Sequence, residues 1–214
     1  MTDPVHLYGL SRSVYTRIAR LALEEKAVSY KLVKTEIFGA QGPPPEHWQR
    51  HPFGRIPALS HGALSLYETS AICRYVDEAF PGPSLQPTSP TGRARVTQLV
   101  SVLDSYVYRP LVWGVFFQRV VRPQMGEAPD QQVIDSTLPQ VDRALQAIRA
   151  LRQDARYLVG ESLTLADLHA FPMLKCLTLM PEGQVILARN SSIEQWLVLM
   201  ADRASVRRTR WLNE

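Results

Sequence analysis

Glu68, Thr69 and Ser70 place an acid and two hydroxyls directly ahead of a helical period. Ile72, Tyr75, Val76 and Ala79 recur at i, i+3, i+4 and i+7, so a helix must begin at these polar residues. The unpaired N–H groups of a helix's first turn can hold a carboxylate. Upstream, Ile56-Pro57-Ala58-Leu59 leads into a strand, His61-Gly62 turns, and a short second strand runs through Leu64 and Leu66. Proline has no N–H for a central ladder, so Pro57 implies either an edge strand or a turn with a cis peptide. A strand that stops pairing at a proline, beside such a helix start, is a seat for a small peptide. The same residues also describe a β-hairpin capped onto a helix with no ligand, and both readings stand at this point.

A second group of hydroxyls lies near the beginning of the chain. Ser11 and Ser13 sit in the polar turn Leu10-Ser11-Arg12-Ser13, with Tyr15 just beyond. Any one of them is also explained as a simple helix N-cap. Other chemistries lack their residues. The histidines are at 6, 47, 51, 61 and 169, with no H-E-x-x-H and no C-x-x-C, so no metal is expected. Neither G-x-G-x-x-G nor G-x-S-x-G occurs.

The elements that must position these groups follow from periodicity. Val5 and Leu7 alternate with His6 and Tyr8 in a strand ending at Gly9, and Val14, Ile18, Leu21 and Ala22 mark a helix through to Lys26. A strand resumes from Tyr30 to Val33, which makes a β-α-β opening with parallel strands and a right-handed crossover. The stretch 35–50 is loop, with one helical turn around His47 and Trp48. The prolines at 81, 83, 87 and 90 then break regular structure, and only helical periods follow from Thr91. Val96, Leu99, Val100, Leu103 and Val107 form one face; Leu138, Val141, Leu145 and Ile148 a second; Ile193, Trp196, Leu197 and Met200 a third. Thr164 and Asp167 fit a capping-box variant whose role is folding, with the cap worth roughly 1 kcal/mol. The expected division is 1–80, a linker at 81–90, and 91–214.

Composition narrows the class. The 214 residues are 45% hydrophobic, enough for a real core. No apolar run approaches the roughly 20 residues of a membrane span, and no signal peptide is expected. Cys73 and Cys176 are far apart, so a disulfide framework is not expected and a reducing cytoplasm fits. The net charge is +4, with basic residues scattered except for Arg203, Arg207, Arg208 and Arg210. That tail is expected to be a solvated face rather than a nucleic-acid surface, since no stacking aromatic is interleaved before Trp211.

GRIPAL followed by LYETSAICRY resembles the glutathione-binding signature of the cytosolic glutathione S-transferases, in a bacterial form with a serine-type active-site turn. The resemblance extends over essentially the whole chain. It implies a thioredoxin-like α/β domain at 1–80 that binds glutathione and an all-α helical bundle at 91–214 that carries the electrophile pocket. Thr69 stands where the family usually has serine, keeping the hydroxyl, and His51 where it usually has asparagine.

What the resemblance implies chemically is specific. A free cysteine thiol has a pKa near ~8.5, and lowering it about two units takes roughly 2.7 kcal/mol of thiolate stabilisation. A hydroxyl hydrogen bond and a helix N-terminus can supply that. Counting back from Glu24-Glu25-Lys26 puts Ser13 at the family's catalytic position, with Ser11 and Tyr15 as alternates. The turn lacks a cysteine, which disfavours mixed-disulfide chemistry and favours thiolate addition to a small hydrophobic electrophile, or organic peroxide reduction. Ile56, before Pro57, is expected to pair with the cysteinyl part of glutathione, Glu68 with the γ-glutamyl ammonium, Thr69 with its carboxylate, and Arg55 with the glycyl carboxylate. Tyr106, Tyr108, Trp113 and Phe117, with Phe116, are candidates for the electrophile pocket, although such clusters also serve as core. Glutathione is the expected co-substrate and a homodimer the expected assembly, with no nucleic-acid or membrane partner. A glutathione-binding protein without turnover and a glutathione-dependent isomerase or dehalogenase are the alternatives.

Overall fold

The computed structural model describes residues 3–39 and 41–211. The chain divides into two compact units, 1–84 together with 203–214, and 85–202. The segment from Arg203, grouped with the helical half on sequence, packs with the first unit.

The first unit begins with β1 (Val5–Gly9), in which Val5, Leu7 and Gly9 are buried and His6 and Tyr8 half-buried. Helix α1 (Val14–Glu25) buries Ile18, Ala19, Leu21, Ala22 and Leu23 completely. β2 (Tyr30–Lys34) runs parallel to β1, as a crossover through α1 requires. The short α2 (Pro45–Arg50) follows, with Pro45 in its first turn, where the missing N–H costs nothing. β3 (Ala58–His61) and β4 (Leu64–Tyr67) form the hairpin, and α3 (Thr69–Ala79) closes the unit. On α3, Ile72 and Val76 are fully buried while Ala79 is exposed.

Strand order is β2-β1-β3-β4. β3 is therefore an inner strand, and of the two readings of Pro57 the edge strand drops out. The proline lies just before the ladder, and the Ile56–Pro57 bond is cis. Its missing N–H thus costs no ladder hydrogen bond.

The tail forms α10 (Ala204–Arg208); Arg207, Arg208 and Arg210 are exposed, as expected of a solvated basic face, and Arg203 is half-buried. Arg203 pairs with both oxygens of Glu25 at 2.8 Å, and Arg208 pairs with Glu24. Arg20 donates to the Arg208 carbonyl, and the Trp211 ring lies 4.8 Å from the buried Arg17 guanidinium. Two of the clustered arginines, Arg203 and Arg208, thus answer the acids that end α1. Close by, Lys26 and Asp77 form a buried ion pair at 3.3 Å, and Lys26 Nζ also donates to the Pro83 carbonyl at 3.0 Å.

The second unit is helical. Ser89 caps α4 (Pro90–Val102) by accepting the Gly92 N–H. The rod continues through a segment wound with i→i+5 π-type bonds, Leu103–Val121, which contains Pro110, and ends in α5 (Arg122–Gln124). Asp130 caps α6 (Gln131–Arg152). In α7 (Leu165–Lys175) every residue from Leu165 to Leu174 is buried. α8 (Pro181–Ala188) and α9 (Ser191–Ala201) complete the unit. The capping box at α7 has a centre of its own. Asp167 accepts from the N–H groups of Leu158 and Thr164, the Thr164 hydroxyl and the Trp196 indole N–H. Burial pushes this carboxyl up from its ordinary range, against the four donors that favour the charged form. The Thr164 hydroxyl thus serves the acid as a donor.

Candidate active site

The register of the sheet decides what can meet. Tyr8 near the end of β1 pairs with Ala58 at the start of β3, and Ala58 pairs with Tyr67 at the end of β4. Three connections therefore leave the same end of the sheet: the turn from β1 to α1, the Ile56–Pro57 segment, and the entry to α3. Neighbouring strands are about 4.8 Å apart, so the outer two of these three strands are separated by about 10 Å, a span suited to an extended tripeptide.

In the first connection Ser13 is the N-cap of α1, half-buried, and its Oγ accepts the Thr16 N–H at 3.3 Å. That use occupies an acceptor lone pair and leaves the hydroxyl proton to be donated elsewhere. Ser11 is exposed in the turn ahead of the helix, and Tyr15 lies in the first turn, half-buried. β1 can run into α1 this closely only because its last residue is Gly9: a Cβ there would stand 2.4 Å from Thr16 Oγ1.

In the second connection Ile56 and Pro57 are buried and Arg55 is exposed. Two residues not assigned a role on sequence support this segment. His47, fully buried in α2, has Nε2 2.7 Å from the Arg55 carbonyl oxygen. His51 is 3% exposed; its Nδ1 accepts the Phe53 N–H at 3.4 Å, and its ring packs on Tyr67 at 5.0 Å. Burial holds the His51 pKa below its ordinary value; the nearby Glu68 opposes this, and His47 and Arg55 reinforce it. Gly54 closes the turn at φ 61° against the Trp48 ring, which a Cβ would approach to 2.7 Å.

In the third connection Glu68 is exposed and takes φ 68°, a conformation uncommon outside glycine and found at ligand sites. Its side chain makes no capping bond to α3. Thr69 is buried at the helix start and Ser70 exposed beside it. The acid thus does not cap α3, whose first N–H groups lie next to it.

The whole chain is similar to proteins of one kind. Residues 7–84 match the model for the glutathione S-transferase N-terminal domain and residues 108–197 that for the C-terminal domain. Glutathione S-transferase 1 of Zea mays is 31% identical over 96% of this chain and 95% of its own length. The chain belongs to the glutathione S-transferase family.

Among other glutathione S-transferases, a probable one from Oryza sativa subsp. japonica, GSTF2, is 30% identical over 94% of each chain. The structure of glutathione S-transferase I from maize, in complex with an atrazine glutathione conjugate, superposes with a TM-score of 0.83 at 30% identity, covering 96% of each chain. The thioredoxin-like and helical units of this transferase are those of the family fold.

The helical unit carries the remaining candidates on the π-type segment. The rings of Trp113 and Phe117 pack at a tilt of 38° with centroids 4.9 Å apart. Tyr108 and Phe116 are half-buried. Tyr106 is 64% exposed, which shows that it is no core residue. Among the described residues no group of histidine, cysteine or acidic side chains is arranged to hold a metal, and no helix is long and apolar enough to cross a membrane.

Proposed function

We propose that this transferase activates glutathione at the sheet end described above and joins it to a small hydrophobic electrophile. The observation that carries the reading is the capped hydroxyl of Ser13 at the same sheet end as Ile56–Pro57 and the start of α3. Thr16 N–H polarises the Ser13 hydroxyl, whose proton is donated to the glutathione sulfur and favours thiolate over thiol. The thiol proton passes to solvent; the thiolate then forms a carbon–sulfur bond as the electrophile's leaving group departs or its double bond takes up the charge. Ile56 pairs its backbone with the cysteinyl residue, Glu68 with the γ-glutamyl ammonium, Thr69 and the α3 N-terminus with the γ-glutamyl carboxylate, and Arg55 with the glycyl carboxylate. Ser11 and Tyr15 are the alternates to Ser13. Tyr106, Tyr108, Trp113 and Phe117 supply apolar surface for the electrophile, and reduction of an organic peroxide is open to the same thiolate.

A homodimer is proposed from the resemblance, and the exposed Phe53 and Tyr67, whose rings meet edge-on at 6.3 Å, offer it apolar surface. Cytoplasmic residence is proposed because both cysteines are buried thiols outside any disulfide. Conjugation of glutathione to a chlorodinitrobenzene, followed by absorbance, tests the reaction. Saturable turnover supports it; tight glutathione binding with no turnover supports the non-catalytic alternative.

A further inference from the structure

His47 donates through Nε2 to the Arg55 carbonyl at 2.7 Å, because a carbonyl oxygen can only accept. The ring is fully buried, and its other nitrogen, Nδ1, has no hydrogen-bond partner among the described residues. A buried ring nitrogen without a partner is unfavourable. If the position needed only volume, an apolar side chain would fill it at less cost. The hydrogen bond to Arg55 is therefore what the histidine supplies.

The Arg55 carbonyl and the Ile56 N–H belong to one peptide unit. Among the described residues the only cis bond is the next one, Ile56–Pro57, so the Arg55–Ile56 unit is trans and planar. In such a unit the C=O and N–H point in opposite directions. Fixing the carbonyl from inside the protein therefore fixes the direction in which the N–H points. A hydrogen bond to the carbonyl also polarises the unit, strengthening its N–H as a donor. We propose that His47 is a positioning residue, which aims the Ile56 N–H at glutathione through the rigid Arg55–Ile56 peptide. This rests on the reading above that Ile56 receives the cysteinyl residue.

The surrounding turn is built to make that lever stiff. His51 N–H donates to the His47 carbonyl and Gly54 N–H to the His51 carbonyl, both at 2.9 Å. Gly54 packs on Trp48, and His51 on Tyr67. His47 closes the loop from α2 to Pro57, so its side chain determines where the loop delivers Ile56.

The test titrates reduced glutathione into the full-length protein by calorimetry and follows the Ile56 amide by ¹H–¹⁵N NMR. His47→Leu removes the donor; His47→Gln keeps an N–H near the ε position; His47→Asn leaves one too short to reach and serves in place of leucine if that variant does not fold. The proposal expects Kd to rise roughly five- to tenfold in His47→Leu or His47→Asn, the loss of one hydrogen bond, and to stay near wild type in His47→Gln. The KM for glutathione should follow Kd, while the KM for the electrophile stays put. An unchanged Kd in the donor-less variants, or an equal loss in His47→Gln, overturns it. A wild-type Ile56 amide that does not shift on adding glutathione refutes instead the seat on which the proposal rests.

Discussion

Ser13 Oγ and the Thr16 N–H are 3.3 Å apart, joined by the hydrogen bond that begins α1. Capping and thiol activation are two explanations of a serine in such a turn. Here they are compatible, because the cap uses an oxygen lone pair and activation uses the proton. Ser13→Ala should therefore cost about 1 kcal/mol of stability as a lost cap, and lower kcat/KM about tenfold to a hundredfold as a lost charge-assisted hydrogen bond. Denaturant unfolding and steady-state kinetics separate the two. A variant with lost stability and full activity would leave Ser13 as a cap alone.

The Lys26–Asp77 pair is buried on both sides, with side chains 3% and 4% exposed. Lys26→Met leaves the carboxylate buried without the lysine charge, and the expected loss is about 3 kcal/mol or more in urea unfolding. Adding Asp77→Leu should recover most of it. A single variant as stable as wild type would contradict this assignment.

The clamp of the tail on α1 predicts an acid-side loss. Burial alone would raise the Glu25 carboxyl, but hydrogen bonds from Arg203 and Ser205 and the charges of Arg203 and Arg208 outweigh it, leaving the pKa below the ordinary 4.5. A carboxyl depressed in the folded state stabilises above its unfolded pKa and loses that contribution as pH falls through the folded value. The stability difference between wild type and Glu25→Gln should therefore be full at neutral pH and shrink below about pH 4.5. A pH-independent difference would count against the ion pair.

His51 predicts a loss on the same side but at higher pH. Its folded pKa lies below the ordinary 6.5, chiefly because of burial, so the unfolded chain takes up the proton first. Its contribution is present above pH 6.5 and lost as pH falls from there towards the folded value. Among the charged groups acting on it, Glu68 opposes the shift while His47 and Arg55 add to it. In His51→Asn, the residue usual in the family, thermal melting should lose this step between neutral and mildly acid pH. An identical pH profile in both proteins would show that His51 does not titrate against the fold.

Much of this was legible because it is local. The switch from strand to helical period after Leu66, the run of prolines from 81 to 90 and the Thr164–Asp167 spacing each involve residues a few positions apart, where sequence pattern is strongest. The acid partners of Arg203 and Arg208 were not legible because they are remote: Arg203 and Glu25 are separated by 178 positions, and no local pattern announces such a pairing. The interior position of β3 is likewise a property of sheet order. His47 carried no signal, since a lone histidine in a short helix looks the same whether or not it reaches a carbonyl eight residues on. Trp196 was placed on a buried face, but its indole bond to Asp167 joins two helices and could not be foreseen.

The most direct test of thiol activation is the ultraviolet difference spectrum of glutathione added to the protein, titrated over pH, in wild type and in Ser13→Ala. Activation by Ser13 predicts thiolate absorbance appearing about two pH units below the free thiol's ~8.5 in wild type and moving back towards that value in the variant. Saturable glutathione binding with no thiolate signal below the free thiol's range, or a signal that Ser13→Ala leaves in place, would contradict it.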